Sequence, residues 1–138
     1  MKSPAENIKD LLVAADATNY KFGTNLFISA MPDIPANCIT VYDTGGMPPV
    51  ETLDEKITYN DSVQVLVRNK SYQAGWDISM AIMRILISVG NVTLNTDTRV
   101  LIVFPRTGIN NLPTTGDVAK VGQYQFFSTN FIIRRHQL

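Results

Sequence analysis

The chain has 138 residues and a mass of 15.3 kDa, enough for one ordinary domain with its own core and too little for two. Only 17% of residues are charged, against about a quarter in typical domains, which points to a surface partly covered by other protein. Twelve basic and 12 acidic residues cancel, against a dedicated nucleic-acid binder; one cysteine (Cys38) and one histidine (His136) exclude a disulfide framework, a Cys-rich metal site and most histidine-dependent catalysis.

Ser3-Pro4-Ala5-Glu6 has the form of a capping box, with Pro4 preset for the first helical position. Ile8, Leu11, Leu12 and Ala15 follow at helical spacing, so the sequence predicts a first helix ending near Ala17. Strands are expected at residues 26–28, 38–42 and 62–68, the last alternating with Val63, Val65 and Val67 on one face. A second helix is expected over residues 71–89. Asp77, Ala81, Arg84 and Ser88 form its one narrow polar stripe, and nearly everything else is apolar. Such a helix is covered on more than one side, by a sheet and then by either the first helix or a neighbouring subunit. Residues 91–94, 99–104 and 124–135 read as further strands.

Two stretches read as long loops. Residues 43–60 hold Gly45-Gly46 and Pro48-Pro49, and residues 105–121 hold Gly108, Pro113 and Gly116. Residues 1–61 carry nine acids and four bases, and residues 62–138 three acids and eight bases, a polarity of −5 to +5. A head-to-tail ring could use that polarity, although one fold can also carry it by chance.

No enzymatic constellation is well supported. Asp43-Thr44-Gly45 matches the aspartic-protease signature, and a homodimer would supply the second carboxylate. Those proteases are nearly all β, however, and the same residues serve as turn chemistry, with Asp opening a turn and Gly at positive φ. A Ser/His/Asp triad would depend on His136, two residues from the end. Neither a metal site nor a cofactor site is expected. Arg134-Arg135-His136 reads as a solvated strand end, Cys38 as a core-facing thiol, and Trp76 as either core or interface anchor. Residues 76–89 are broken by Asp77 and Arg84 and fall short of the roughly 20 residues of a membrane helix. With no signal-peptide pattern after Met1-Lys2, the expectation is a soluble, intracellular product.

The order of these features carries a resemblance. A capped helix precedes Ile39-Thr40-Val41-Tyr42-Asp43-Thr44-Gly45-Gly46-Met47-Pro48-Pro49, followed by the alternating Ser62-Val63-Gln64-Val65-Leu66-Val67-Arg68 and a helix opened by Tyr72-Gln73-Ala74. This layout, over about residues 3–135, resembles the small tail terminator proteins of long-tailed bacteriophages, often labelled minor capsid or tail completion proteins. The resemblance implies a single α+β domain, with a mixed, mainly antiparallel β-sheet and two helices packed on one side. It implies a homohexameric ring in the virion, at the head-proximal end of the tail, assembled in the host cytoplasm. Its partners would be the tail tube protein and a head-side connector protein, with DNA passing through the lumen unread. It implies no enzyme, cofactor or membrane. The family layout assigns no contact residues one by one, so these are chosen from the sequence. The candidate axial-contact residues are Thr44, Gly45, Gly46, Met47, Arg106, Asn110 and Asn111. The candidate subunit interface is Trp76, Met80, Met83, Ile87 and Arg134. The alternatives are a head–tail connector or adaptor ring, a homodimeric aspartic protease using Asp43, and a free-standing ligand-binding domain.

Overall fold

Helix α1 spans Pro4–Ala15, and the capping box forms as the sequence predicts. Ser3 Oγ accepts from the Glu6 N–H at 3.2 Å, and the Glu6 carboxylate accepts from the Ser3 N–H at 2.9 Å. The structure, a computed structural model, describes residues 1–51, 53, 56–112 and 124–138. α1 stops at Ala15, short of the expected Ala17, because the Asp16 carboxylate accepts from the N–H groups of Thr18 and Asn19 and starts a turn instead. Ala5, Ile8, Leu11 and Leu12 are buried, whereas Ala15, expected on the same face, is exposed at the helix end.

The strands are β1 (Leu26–Ile28), β2 (Cys38–Glu51), β3 (Ile57–Asn69), β4 (Gly90–Leu94), β5 (Thr98–Pro105), β6 (Asn110–Leu112) and β7 (Gln125–Gln137). Helix α2 (Tyr72–Ile87) lies between β3 and β4 in the chain, with Ser71 Oγ accepting from the Ala74 N–H at 3.3 Å. All seven strands join one mixed sheet in the order β1-β2-β3-β7-β5-β4. β1 runs parallel to β2, and every other pairing is antiparallel. β6 pairs β7 beyond the point where β5 leaves it: Pro105 faces Phe131, and Asn110 faces Ser128.

Both helices lie on one face of the sheet and close one contiguous core. Val63, Val65 and Val67 of β3 stand on the helix side with Ile39 and Val41 of β2 and with Phe127, Phe131 and Ile133 of β7. Alternation sends the intervening residues to the opposite, helix-free face. Cys38 differs from expectation here. Its register partner is Arg68, so it is buried on the helix-free side and lies outside the main apolar cluster.

The expected loop over residues 43–60 is largely strand. β2 continues to Glu51 and β3 begins at Ile57, so the two form a long hairpin. Two irregularities, between Asp43 and Gly46 and between Met47 and Val50, absorb the residues that break regular pairing. β1 pairs only with residues 39–41, so among the described residues the distal half of β2 is a sheet edge, where proline is tolerated. In the second expected loop, residues 110–112 form β6, and residues 113–121 lie outside the described residues.

Candidate functional site

Asp43 points to the helices. Its Oδ1 accepts from the Ala5 N–H at 2.8 Å, an acceptor from β2 for one of the open donors at the α1 N-terminus. The Asp-Thr-Gly-Gly segment is therefore a bulge inside a strand, not the turn that the sequence implied. Gly45 and Gly46 do take positive φ, at 85° and 152°. Gly46 is also sterically required: a Cβ there would stand 2.5 Å from the Asn60 carbonyl oxygen and 2.8 Å from Asp61 Cα. The bulge turns Thr44 to the helix-free side, where its hydroxyl donates to Ser62 Oγ at 2.9 Å. The Asp43 carboxylate that a protease would need is committed to helix α1.

On the helix-free face, this bulge forms one wall of a groove of about 620 Å³. Thr44, Gly46 and Met47 meet Phe104, Ile132 and two guanidinium groups, Arg106 and Arg134. Five of the residues chosen from the sequence thus come together although they lie up to 90 positions apart (44 to 134). Arg134 Nε donates to Asn60 Oδ1 at 2.8 Å, and neither arginine has a carboxylate partner among the described residues. The two carboxylates in the paired core of β2 and β3, Asp43 and Asp61, face the helices instead. Asn110 and Asn111 stand apart, on β6, where Asn111 Nδ2 donates to the Phe126 carbonyl at 3.3 Å.

The arginines at the chain end divide between the two faces. Arg135 is only 5% exposed, which corrects the reading of Arg134-Arg135-His136 as a solvated strand end. Its Nε and Nη2 both lie 3.0 Å from Asp61 Oδ2, and Nη1 donates to the Asn7 side-chain oxygen at 2.8 Å and to the Lys2 carbonyl at 2.6 Å. His136 shares a 2.9 Å hydrogen bond with Thr58 Oγ1, so its ring is held by β3. Arg68 is buried as well, donating to the carbonyls of Pro32, Ala36 and Pro35 and so pinning the strand connection that precedes β2. Sequence reasoning missed both clamps, since their partners lie more than 30 positions away.

Helix α2 seats Gly75, Ser79, Ile82 and Leu86 against the sheet. The small residues permit close approach: a Cβ on Gly75 would fall 2.5 Å from the Phe127 ring. Among the expected interface residues, Trp76 and Met83 pack partly against the core, Trp76 edge-on to Phe127 with ring centroids 6.3 Å apart. Met80 is half-buried, and Ile87 is 51% exposed. Asp77, Arg84 and Ser88 of the predicted polar stripe are exposed. Between the turn that follows α1, the Cys38 and Arg68 ends of β2 and β3, and α2 lies a second groove of about 710 Å³, with Tyr20, Ile78, Ala81 and Ile85 on its walls and two aspartates (Asp16, Asp77) and two arginines (Arg68, Arg84) among its polar lining.

Burial pushes the Cys38 thiol above its ordinary value, partly offset by the nearby Arg68, so it is no activated nucleophile. Among the described residues, no group of three or more His, Cys, Asp or Glu side chains is placed to hold a metal ion. No helix among them is long and apolar enough to cross a membrane.

No curated protein matches the chain. A chain in the virion of a native gene transfer agent particle is similar in structure, with a TM-score of 0.47 and 10% identity over 94% of this chain and 84% of that one. The family model for bacteriophage tail terminator proteins matches residues 9–125, from within α1 to the start of β7, and so takes in α2 and every strand before β7 but ends short of Ile132 and Arg134. The chain therefore belongs to the bacteriophage tail terminator family and is a structural protein of phage tails.

Proposed function

We propose that the protein caps the head-proximal end of the tail tube as a homohexameric ring, ends tube polymerisation and presents the surface to which the head connector attaches. The observation that carries this reading is the exposed apolar edge of the β2–β3 hairpin. Met47 is 69% exposed and Val50 53%, with Leu53 and Ile57 exposed beside them. Exposed apolar residues clustered on one arm mark a contact surface. Pro48 and Pro49 lack the N–H groups that would recruit another strand, so the arm offers side chains rather than a sheet edge. In this reading the arm meets the tube, and Thr44, Gly45, Gly46, Met47 and Arg106 lie at its base. Asn110 and Asn111 mark the second axial contact. Trp76, Met80, Met83, Ile87 and Arg134 face neighbouring subunits. DNA passes through the lumen without being read, and the protein acts without catalysis or cofactor.

Termination needs only one face that matches the tube and another that does not match a further tube subunit. The test is a triple variant, Met47→Ser, Val50→Ser, Leu53→Ser, mixed with purified tails that lack this protein. Wild-type chain binds and the variant does not, while its thermal melting stays close to wild type. Equal binding by the variant sinks the arm as the tube contact. Tail length in a knockout separates the adaptor alternative: overlong tails indicate a terminator, normal-length unattached tails an adaptor.

A further inference from the structure

The described sheet has two ends. The hairpin arm occupies one, where Glu51 pairs with Ile57. At the other end Cys38 pairs with Arg68, Arg68 with Phe126, and Phe126 with Leu112 of β6. The connection before β2, the start of α2 and the Asn110–Asn111 strand therefore gather at that end. β3 runs between the two ends with 13 residues, roughly 40 Å at about 3.3 Å per residue.

Residues 29–37, between β1 and β2, are held there through their backbone. The buried Arg68 guanidinium donates to the carbonyls of Pro32, Asp33, Pro35 and Ala36, and the Asn37 side-chain oxygen accepts from the Lys70 N–H at 3.0 Å. A planar fork of donors suits several carbonyls at once, and a guanidinium with no carboxylate partner among the described residues needs them to replace its lost water. The chain is thus fixed on both sides of Ile34, while Ile34 itself is 85% exposed and takes no part in the described core. At the same end Tyr72 sits edge-on to Phe127, with ring centroids 5.4 Å apart and 54% of its own surface open. The charged residues of the two stretches that meet here, Asp33 and Lys70, are opposite in sign, so these stretches offer apolar contact rather than a net charge.

We infer that this end docks the head-side connector protein, with Ile34 as the anchor that enters an apolar socket on it and Tyr72 as a second apolar contact. This rests on the axial reading above, which gives the arm end to the tube and leaves the opposite end, with Asn110 and Asn111, for the head side. Preorganisation favours it: a loop already fixed by Arg68 loses little further freedom on binding, so the gain from burying Ile34 is not offset by ordering the backbone.

Ile34→Ser tests it, since this exposed side chain can be changed without disturbing the core. Tails that lack this protein are capped with wild-type or variant chain and mixed with connector-bearing heads, and electron microscopy counts joined particles across a head concentration series. The variant should melt, assemble and cap tubes as wild type does, yet need at least about tenfold more heads for half-joining, whereas Ile34→Leu should join normally. Half-joining of Ile34→Ser at the wild-type head concentration overturns the proposal. So does loss of its ring assembly in native mass spectrometry, which would make Ile34 a contact between copies. Arg68→Lys keeps the buried cation and removes the fork, so it should weaken head joining more than tube capping; equal effects on both overturn the part given to the held loop. Failure of the axial reading itself has a different signature: wild-type chain then caps no tubes, or capped tails join no heads.

Discussion

Arg134 and Arg135 are neighbours in the chain and opposites in the fold. Arg135 points to the helices, where Asp61, Asn7 and the Lys2 carbonyl enclose it. Arg134 points to the open face of the sheet, beside Arg106, with one neutral partner. Strand alternation alone separates them. On the covered face, a guanidinium removed from water needs its carboxylate, so the pair ties β7 and β3 to the start of α1. On the open face, water solvates the guanidinium, and its charge remains available to another surface. The same residue type therefore holds the fold together on one side and stands exposed to water on the other.

The sharpest way to break that comparison is to truncate each arginine. Arg135→Ala leaves the Asp61 carboxylate without its partner and should cost about 3 kcal/mol in chemical denaturation, whereas Arg134→Ala should change stability by less than about 0.5 kcal/mol. Equal losses would mean that the two faces are not distinct in this way. Next in size come the glycines of the bulge. Gly46→Ala drives a Cβ into the β3 backbone at a left-handed φ and should destabilise by about 2 kcal/mol. Gly45→Ala meets open space and pays only the strain of its φ of +85°, about 1 kcal/mol. Thermal melts of the two variants side by side check the ranking.

A smaller effect belongs to Asp43. Asp43→Ala removes the acceptor at the Ala5 N–H and should cost about 1 kcal/mol, while Asp43→Asn keeps an oxygen there and should cost less. The smallest effect is a pH dependence at Asp10. Burial would raise its carboxyl, but hydrogen bonds from Lys9 and Lys2 outweigh that and hold it below its ordinary 3.8. A carboxylate depressed by folding contributes stability above the unfolded value and loses it as pH falls through the folded one. Stability should therefore decline below about pH 4, with Asp10 contributing roughly 0.5 kcal/mol after solvent screening. The stability difference between wild type and Asp10→Asn, measured by denaturation, should be smaller at pH 3 than at pH 7.

Much of this protein follows from its sequence, because the signals involved are local. The Ser3–Glu6 capping box, the valine alternation of β3 and the apolar girth of α2 each act within a few residues, and each forms as the residues dictate. The layout of those elements also carried the family. The tertiary structure alone decided what depends on distant partners. Gly45-Gly46 and Pro48-Pro49 are breakers locally, yet β3 holds them in a strand, since a bulge and a free edge accommodate both. Asp43 reads as a catalytic or turn residue until the Ala5 N–H arrives 38 positions away. The same holds for the groove: Thr44, Met47, Arg106 and Arg134 are far apart in the sequence and form one groove only because β2, β3, β7 and β5 are adjacent in the sheet. Local preference sets which residues make a strand, but strand order and pleat set which residues share a face.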